Sequence, residues 1–271
     1  MFIDSHAHLF FADFGPDLAD VLKRAQDAGV ERIIVPGTDL ETSREAVALA
    51  ERFRMIYACV GFHPHEARNA DGTALEEIEK LSFHERVAAI GEIGLDYHYD
   101  FSPRDVQREV FSFQIDLARR RELPVVIHTR EAEEDTMKIV EEKVHKGVWM
   151  RESGRPNGVF HCFPGDEQMA RTVIGWGFRI SIPGPVTFAG TPKKPNTMAG
   201  VAAVIPLEHI LLETDSPYLS PVPYRGKRNE PSRIPLIAGK IAELRGVTTE
   251  EVGRSTSAAS RTLFGIEEGV A

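Results

Sequence analysis

The chain has 271 residues, with 32 Lys and Arg against 41 Asp and Glu, a formal net charge of −9. With 42% hydrophobic and 27% charged residues it is a folded globular chain, not a disordered one, and its acidity excludes a generally basic coat for nucleic acid. No apolar run approaches the roughly 18 to 20 residues that cross a bilayer. The start, Met1-Phe2-Ile3-Asp4-Ser5-His6, lacks the basic-then-apolar order of a secretory signal. Cys59 and Cys162 are too few for a disulfide framework, so both are expected to be reduced thiols in a cytoplasmic protein.

In chain order, β-rich apolar runs are expected as strands at residues 2–9, 32–36, 55–62, 87–93, 124–129, 158–163, 178–182 and 210–214. Their starts lie 20 to 37 residues apart, the length of a parallel strand with its crossover helix. Runs such as Val87-Ala88-Ala89-Ile90 and Val125-Val126-Ile127 are apolar throughout, as strands covered on both faces must be. Helices are expected between them. One covers residues 17–28, carries Leu18, Val21, Leu22 and Ala25 on one face, and stops at Gly29. Another follows Ser102-Pro103, read as a cap with proline at the first helical position, with Val106, Val110, Phe113 and Leu117 as its apolar stripe. A third spans residues 231–245 and stops at Gly246, and Thr248 caps the last. Residues 184–195 read as a long loop, not a linker. Eight strand–helix units predict a single-domain α/β protein, a (β/α)8 TIM barrel. No Gly-rich phosphate loop follows the first strand, which disfavours an open dinucleotide-binding sheet.

The polar residues then fall in a pattern. His6 and His8 end strand one, His63 follows strand three, Glu92 ends strand four, His128 ends strand five, His161 lies late in strand six and Asp215 follows strand eight. Barrel active sites are built at these C-terminal strand ends. Strand alternation puts Asp4, His6 and His8 on one face and sets Cys162 opposite His161, so that thiol is expected to pack behind the strand. Four histidines and two carboxylates at one mouth suit two divalent ions of the zinc, manganese, cobalt or iron kind, with magnesium preferring more oxygen. Two such ions clamp the attacking and leaving oxygens of a phosphoester. They bring +4 against the −2 of Glu92 and Asp215, leaving the pocket about +2 inside an acidic chain.

At these residues the sequence resembles the TatD-like DNase family of metal-dependent hydrolases, whose fold is an amidohydrolase-type barrel. The segments that carry the resemblance include Phe2-Ile3-Asp4-Ser5-His6-Ala7-His8-Leu9, Val60-Gly61-Phe62-His63-Pro64-His65 and Gly91-Glu92-Ile93-Gly94-Leu95-Asp96-Tyr97. Pro124-Val125-Val126-Ile127-His128-Thr129-Arg130, His161-Cys162-Phe163, Leu212-Glu213-Thr214-Asp215-Ser216-Pro217-Tyr218-Leu219 and Asn229-Glu230-Pro231 complete it. The resemblance implies one metal on His6, His8 and Asp215, a second on His128 and His161, and Glu92 bridging them. It implies that His63 touches the scissile phosphate, that His65 serves a turn or supporting role, and that Asp96 and Glu213 orient the metal-holding histidines. Residues 142–157, with Trp149, look longer than the family's usual link into strand six and read as a solvated loop.

The function so implied is metal-dependent hydrolysis of phosphodiesters, a deoxyribonuclease trimming single-stranded DNA from its 3′ end. Two divalent ions (Mg, Mn or Zn) would serve as cofactors, with Asp215, Glu92 and His63 as catalytic residues and Asp215 accepting a proton as hydroxide attacks phosphorus. Arg130, Arg225, Lys227 and Arg228 are candidates for flanking phosphates, as are Lys193 and Lys194; Tyr97, Tyr218 and Tyr224 are candidates for base stacking. DNA ends are the expected partner, with no membrane and no stable protein partner. An esterase, amidase or lactonase of the same superfamily, a D-aminoacyl-tRNA deacylase, and a binding protein without catalysis are the alternative readings.

Overall fold

A computed structural model describes residues 1–145, 153–191, 193 and 195–267; of the long link into strand six, residues 146–152 with Trp149 lie outside the described residues, as does Lys194, while 142–145 belong to a helix. Eight strands form one parallel sheet in the order β1 to β8. They are β1 (Phe2–Asp4), β2 (Val30–Pro36), β3 (Ile56–Val60), β4 (Val87–Asp96), β5 (Val125–Arg130), β6 (Gly158–Phe160), β7 (Phe178–Ile182) and β8 (Ile210–Leu212). The ring closes where β8 meets β1: Ser5 N donates to Leu212 O at 2.9 Å, Asp215 N to His6 O at 2.9 Å and His8 N to Ser216 O at 2.8 Å. This is the (β/α)8 barrel that the strand spacing predicts.

Helices alternate with the strands: α1 (Leu18–Asp27), α2 (Leu40–Arg52), α3 (Gly72–Leu81), α4 (Arg104–Arg120), α5 (Glu133–His145), α6 (Glu167–Gly175), α7 (Thr197–Val204) and α8 (Ile234–Arg245), with α9 (Thr249–Phe264) after the last crossover. Local chemistry sets many of their ends. Asp39, Asp71, Asp166, Asn196 and Thr248 each accept from a backbone N–H of the first turn. Gly246 and Gly265 end α8 and α9 in the left-handed region.

Strand alternation builds two cores. Ile33, Val35, Ile90, Val125, Ile127, Ile180, Ile210 and Leu212 belong to the large cluster under the helices. Their neighbours Ile34, Cys59, Ala89, Val126, Val159 and Leu211 fill the lumen together with Ala259, Leu263 and Phe264 of α9. Ser257 of that helix donates to Met1 O beside the start of β1, so α9 plugs the end of the barrel remote from the strands' C-termini. The open end is left for a site.

Three local expectations are corrected. Ser102 does not cap α4; Pro103 holds that position, and Ser102 Oγ instead donates to His65 O at 2.8 Å and accepts from Arg68 N at 3.1 Å. Phe113 is exposed while Phe111 is buried, because the buried face of α4 runs through Gln107, Val110, Phe111, Gln114 and Leu117. The strands at both sides of the seam also stop early: β1 ends at Asp4 and β8 at Leu212.

Candidate metal centre

The short β1 changes how its histidines are held. Asp4, fully buried, accepts from His6 N at 3.2 Å, from Thr214 N at 2.9 Å and from Thr214 Oγ1 at 2.6 Å. It is a stitch between β1 and β8, and not a ligand facing the cluster. Beyond it the chain stays extended, because Ala7 N donates to Ile34 O and Ala7 bridges Ser216. His6 and His8 therefore point alike, with their Nε2 atoms 3.2 Å apart. Asp215 Oδ1 lies 3.8 Å from His6 Nε2 and 3.5 Å from His8 Nε2.

Glu92 does not end its strand; β4 runs on to Asp96. The β4–β5 register breaks between Ile90 and Ile93, and Glu92 N donates across to Gly37 O at 2.9 Å. A bulge of this kind re-aims one side chain out of the alternating pattern. Here it sends the carboxylate to the centre of the mouth, only 3% exposed. Its Oε2 lies 3.2 Å from His6 Nε2 and 3.6 Å from His8 Nε2. Its Oε1 lies 2.8 Å from His161 Nε2, 3.0 Å from His128 Nδ1 and 3.6 Å from His63 Nε2. Each oxygen faces a different group of imidazoles. Two residues on, Gly94 lets β4 pass close against β5: its φ is +140°, and a Cβ there would fall 1.9 Å from His128 O.

Partner groups set the tautomers. His128 lies between two carboxylates, Nε2 3.1 Å from Asp96 Oδ2 and Nδ1 3.0 Å from Glu92 Oε1, and against its burial they lift the ring above its usual value; when the ring is neutral its N–H goes to Asp96 and Nδ1 turns a lone pair toward the cluster. Asp96 Oδ2 also lies 3.0 Å from His65 Nε2, which places His65 in support of His128 and not in the cluster. His63 is the reverse case. Its Nδ1 accepts from His65 N at 3.1 Å, so the neutral ring carries its proton on Nε2 and presents a donor. Behind His161, Glu213 accepts from Cys162 N at 2.6 Å and Ser181 Oγ at 2.7 Å, with Oε2 3.8 Å from His161 Nδ1.

The electrostatics follow from burial. Desolvation pushes the Glu92 carboxyl up, but His161, His6 and His63, with the hydrogen bond to His128, outweigh it and hold the group well below its usual range. Burial drives His6 down to about 4 and His63 well below the usual imidazole value. His161 is buried too, yet Glu92 lifts it to about 9. The His6 and His161 rings stack at 4.0 Å, which favours charge on only one of them. Asp215 is lowered, since the His8, His6 and His161 imidazoles overcome its burial.

The donor set fits divalent metal. Converging, buried ring nitrogens facing each other at 3.2 Å with carboxylate oxygens between them form a cation site. His6, His8 and Asp215 make one group within coordination reach of a common point, and His6, Glu92 and His161 another. His63 forms a third group with Glu92 and His128, but its protonated Nε2 argues for a donor there.

A cavity of about 800 Å³ opens over these groups. Cys162 lines it, contrary to the expectation that the thiol packs behind the strand: β6 ends at Phe160, so alternation no longer applies, and a φ of +44° turns Cys162 toward the mouth. Glu131, Asp215 and Leu219, which also line the cavity, are likewise non-glycine residues with positive φ. Such strain collects where function needs it. Arg130 and Tyr218 line the cavity; Arg225, Lys227, Tyr97 and Tyr224 do not. Arg228 is engaged elsewhere, bidentate on Asp17 at 2.9 and 2.7 Å. Residue order alone did not single out Phe11, Tyr99 or the two buried glutamines of α4. Only the glutamines carried a signal, two amides seven residues apart on an otherwise apolar helix face.

No described helix is long and apolar enough to cross a membrane. The sequence matches the TatD related DNase family over residues 3–265. It is 43% identical over 266 residues to the uncharacterized metal-dependent hydrolase YabD of Bacillus subtilis, covering 98% of this chain and all of that one. It is 33% identical over 267 residues to the 3′-5′ ssDNA/RNA exonuclease TatD of Escherichia coli, covering 97% and 98%. The crystal structure of YJJV, a TatD homolog from Escherichia coli, superposes with a TM-score of 0.87 at 31% identity over 98% of both chains. With His, Glu and Asp side chains gathered at the mouth of a parallel barrel, this chain belongs to the TatD family of metal-dependent hydrolases.

Proposed function

We propose that the chain is a two-metal exonuclease that removes nucleotides from the 3′ end of single-stranded DNA, working as one barrel domain in the cytoplasm. The observation that carries this is Glu92, whose two oxygens face two separate imidazole groups at the bottom of one open cavity. His6, His8 and Asp215 would hold one divalent ion, His128 and His161 the other, and Glu92 both. Magnesium, manganese and zinc all suit the donors, manganese and zinc best. When bound, such a pair lowers the pKa of water toward neutrality and stabilises the charge that develops on a phosphodiester in flight.

The chain's own side chains supply the rest. Asp215 is held ionised and 15% exposed at the cavity floor, where a free carboxylate oxygen accepts the proton of the attacking water. His63, neutral and with its proton on Nε2, donates to a non-bridging phosphate oxygen. Asp96 and Glu213 hold His128 and His161 in orientation. Arg130 at the rim receives a flanking phosphate, and Tyr218, 56% exposed and edge-on to Phe11, offers a face to a base. Arg225 and Lys227 are left for phosphates farther from the reacting one. The relative named as a 3′-5′ ssDNA/RNA exonuclease supports this substrate class.

Chelated protein, reloaded with Mg, Mn or Zn and given 5′-labelled single-stranded oligonucleotides, is expected to yield a ladder shortened from the 3′ end. No shortening in any metal, together with turnover of an ester or lactone panel, would assign the site to another hydrolase of this fold.

A further inference from the structure

We propose that Tyr99, braced by Phe101 and Arg130, is a base-stacking platform at the rim of the metal cavity, and that the strand is held more by its bases than by its backbone. This rests on the nucleic-acid reading above.

Tyr99 and Phe101 stand 49% and 52% exposed in the loop between β4 and α4. Their rings are parallel within 2°, with centroids 5.2 Å apart. Large rings left in water usually belong to slack segments, but this loop is tied down. Asp96 Oδ1 accepts from His98 N at 3.0 Å and Tyr99 N at 3.4 Å. Asp100 takes two hydrogen bonds from Arg104 at 2.8 and 2.9 Å, and Gln107 Nε2 donates to Ser102 O at 2.9 Å. The His65 ring meets both aromatics edge-on, 5.6 Å from Tyr99 and 4.9 Å from Phe101, and the Arg130 guanidinium lies 4.9 Å from the Tyr99 centroid. A rigid, exposed aromatic stack beside a cation is preorganised for a flat ligand.

Its position fits a base. Tyr99 lines the cavity along with His63, His65 and Arg130. In a ring of eight strands β4 lies across from β8, so Tyr99 stands on the rim opposite Tyr218, with the histidine cluster between them. The wall charge argues in the same direction. Outside the candidate ligands it carries Glu66, Asp96, Glu131 and Glu133, and its only Lys or Arg among the described residues is Arg130. Such a wall repels a run of phosphates, whereas every base has a face to stack.

The test uses the metal-loaded full chain and oligothymidylates that are intact or abasic at the last, second or third position from the 3′ end. Tyr99→Ala is expected to raise KM about 10-fold with kcat within about twofold, and Tyr99→Phe, which keeps the ring, to restore KM. One abasic position should cost the wild type a similar factor while Tyr99→Ala no longer distinguishes it from the intact strand. KM should rise with salt at a log–log slope of no more than about 1 to 2, the counterion release of one or two phosphate contacts. An equal loss for Tyr99→Ala on intact and abasic strands at every position, or a salt slope above about 4, would overturn the platform. Fluorescence anisotropy of labelled strands in chelator separates the two ideas. Base- and Tyr99-dependent binding without trimming in any metal sinks the exonuclease reading alone, and trimming without that dependence sinks the platform alone.

Discussion

Glu92 is an ionised carboxylate only 3% exposed, and such a charge persists in a folded core only where opposite charges meet it. In this chain the opposite charge comes from His161, lifted to about 9, and from His128, also lifted, both on one oxygen, while the other oxygen faces the His6 and His8 rings. Glu92→Gln keeps the shape and removes the charge. Metal analysis of the purified variant is expected to give fewer than two ions per chain, and turnover to fall by at least about 100-fold. A variant that holds two ions and turns over normally would remove Glu92 from the bridging position. The double substitution His128→Ala with His161→Ala addresses only one side of the carboxylate. It should fold, hold a single ion on His6, His8 and Asp215, and lose activity; retained turnover would contradict a two-metal site.

At the level of elements, the strand ends are held to the helices by side-chain amides. Gln114 accepts from Phe62 N at 2.7 Å and donates to Phe62 O at 3.0 Å, directly before His63. Gln107 does the same for Asp96 N and O at 2.9 and 3.1 Å. Backbone beyond a strand's last ladder bond has lost its partners, and α4 returns them. Gln114→Ala strands a buried N–H and a buried C=O, each worth about 1 to 3 kcal/mol. Urea unfolding should show a loss of about 2 to 4 kcal/mol; a change below about 0.5 kcal/mol would mean that water replaces the amide without cost. These elements also mark how far residue order can be read. The spacing of apolar runs places all eight strands, because each run is a local pattern. It misplaces the α4 stripe, because glutamines hidden for their hydrogen bonds look like surface residues in a hydrophobicity count. It sets Cys162 on the wrong side, because alternation ends with the ladder at Phe160 and a positive φ follows.

On the scale of the whole molecule, the barrel must fasten its first strand to its last. Arg24 of α1 donates to Glu230 at 2.7 and 3.0 Å, and Arg228 pairs with Asp17, joining segments some 200 residues apart across the β8–β1 seam. The Arg228 hydrogen bond lowers the Asp17 carboxyl to about 2. A carboxyl lowered in the folded state stabilises it above its unfolded value, near 4, and loses that contribution as pH falls toward 2. The Tm of the wild type should therefore drop more steeply than that of Arg228→Ala between pH 4 and 2, while the variant melts lower at neutral pH. Parallel acid limbs would show that the pair contributes nothing. KM for oligonucleotides should be unchanged in Arg228→Ala, since this arginine is a strut and does not face the cavity. The same scale resolves the charge of −9. Divalent ions held at the mouth would give a local positive field, so an acidic protein could take in one phosphodiester without coating itself in nucleic acid.

The sequence by itself determined the residue types of the cluster, which strand or following loop carries each, and the barrel that holds them. Donor chemistry and strand periodicity are local properties, written in runs of a few residues. Tertiary structure alone decided which oxygen of Glu92 faces which histidines, that Arg228 is bound to Asp17, that Cys162 looks into the cavity, and that Tyr99 stands opposite Tyr218. Those relations depend on where the ladder stops, on the bulge in β4, and on closure of the ring between β8 and β1. Each is set by hydrogen bonds between residues far apart in the chain, and no short window of sequence contains both partners.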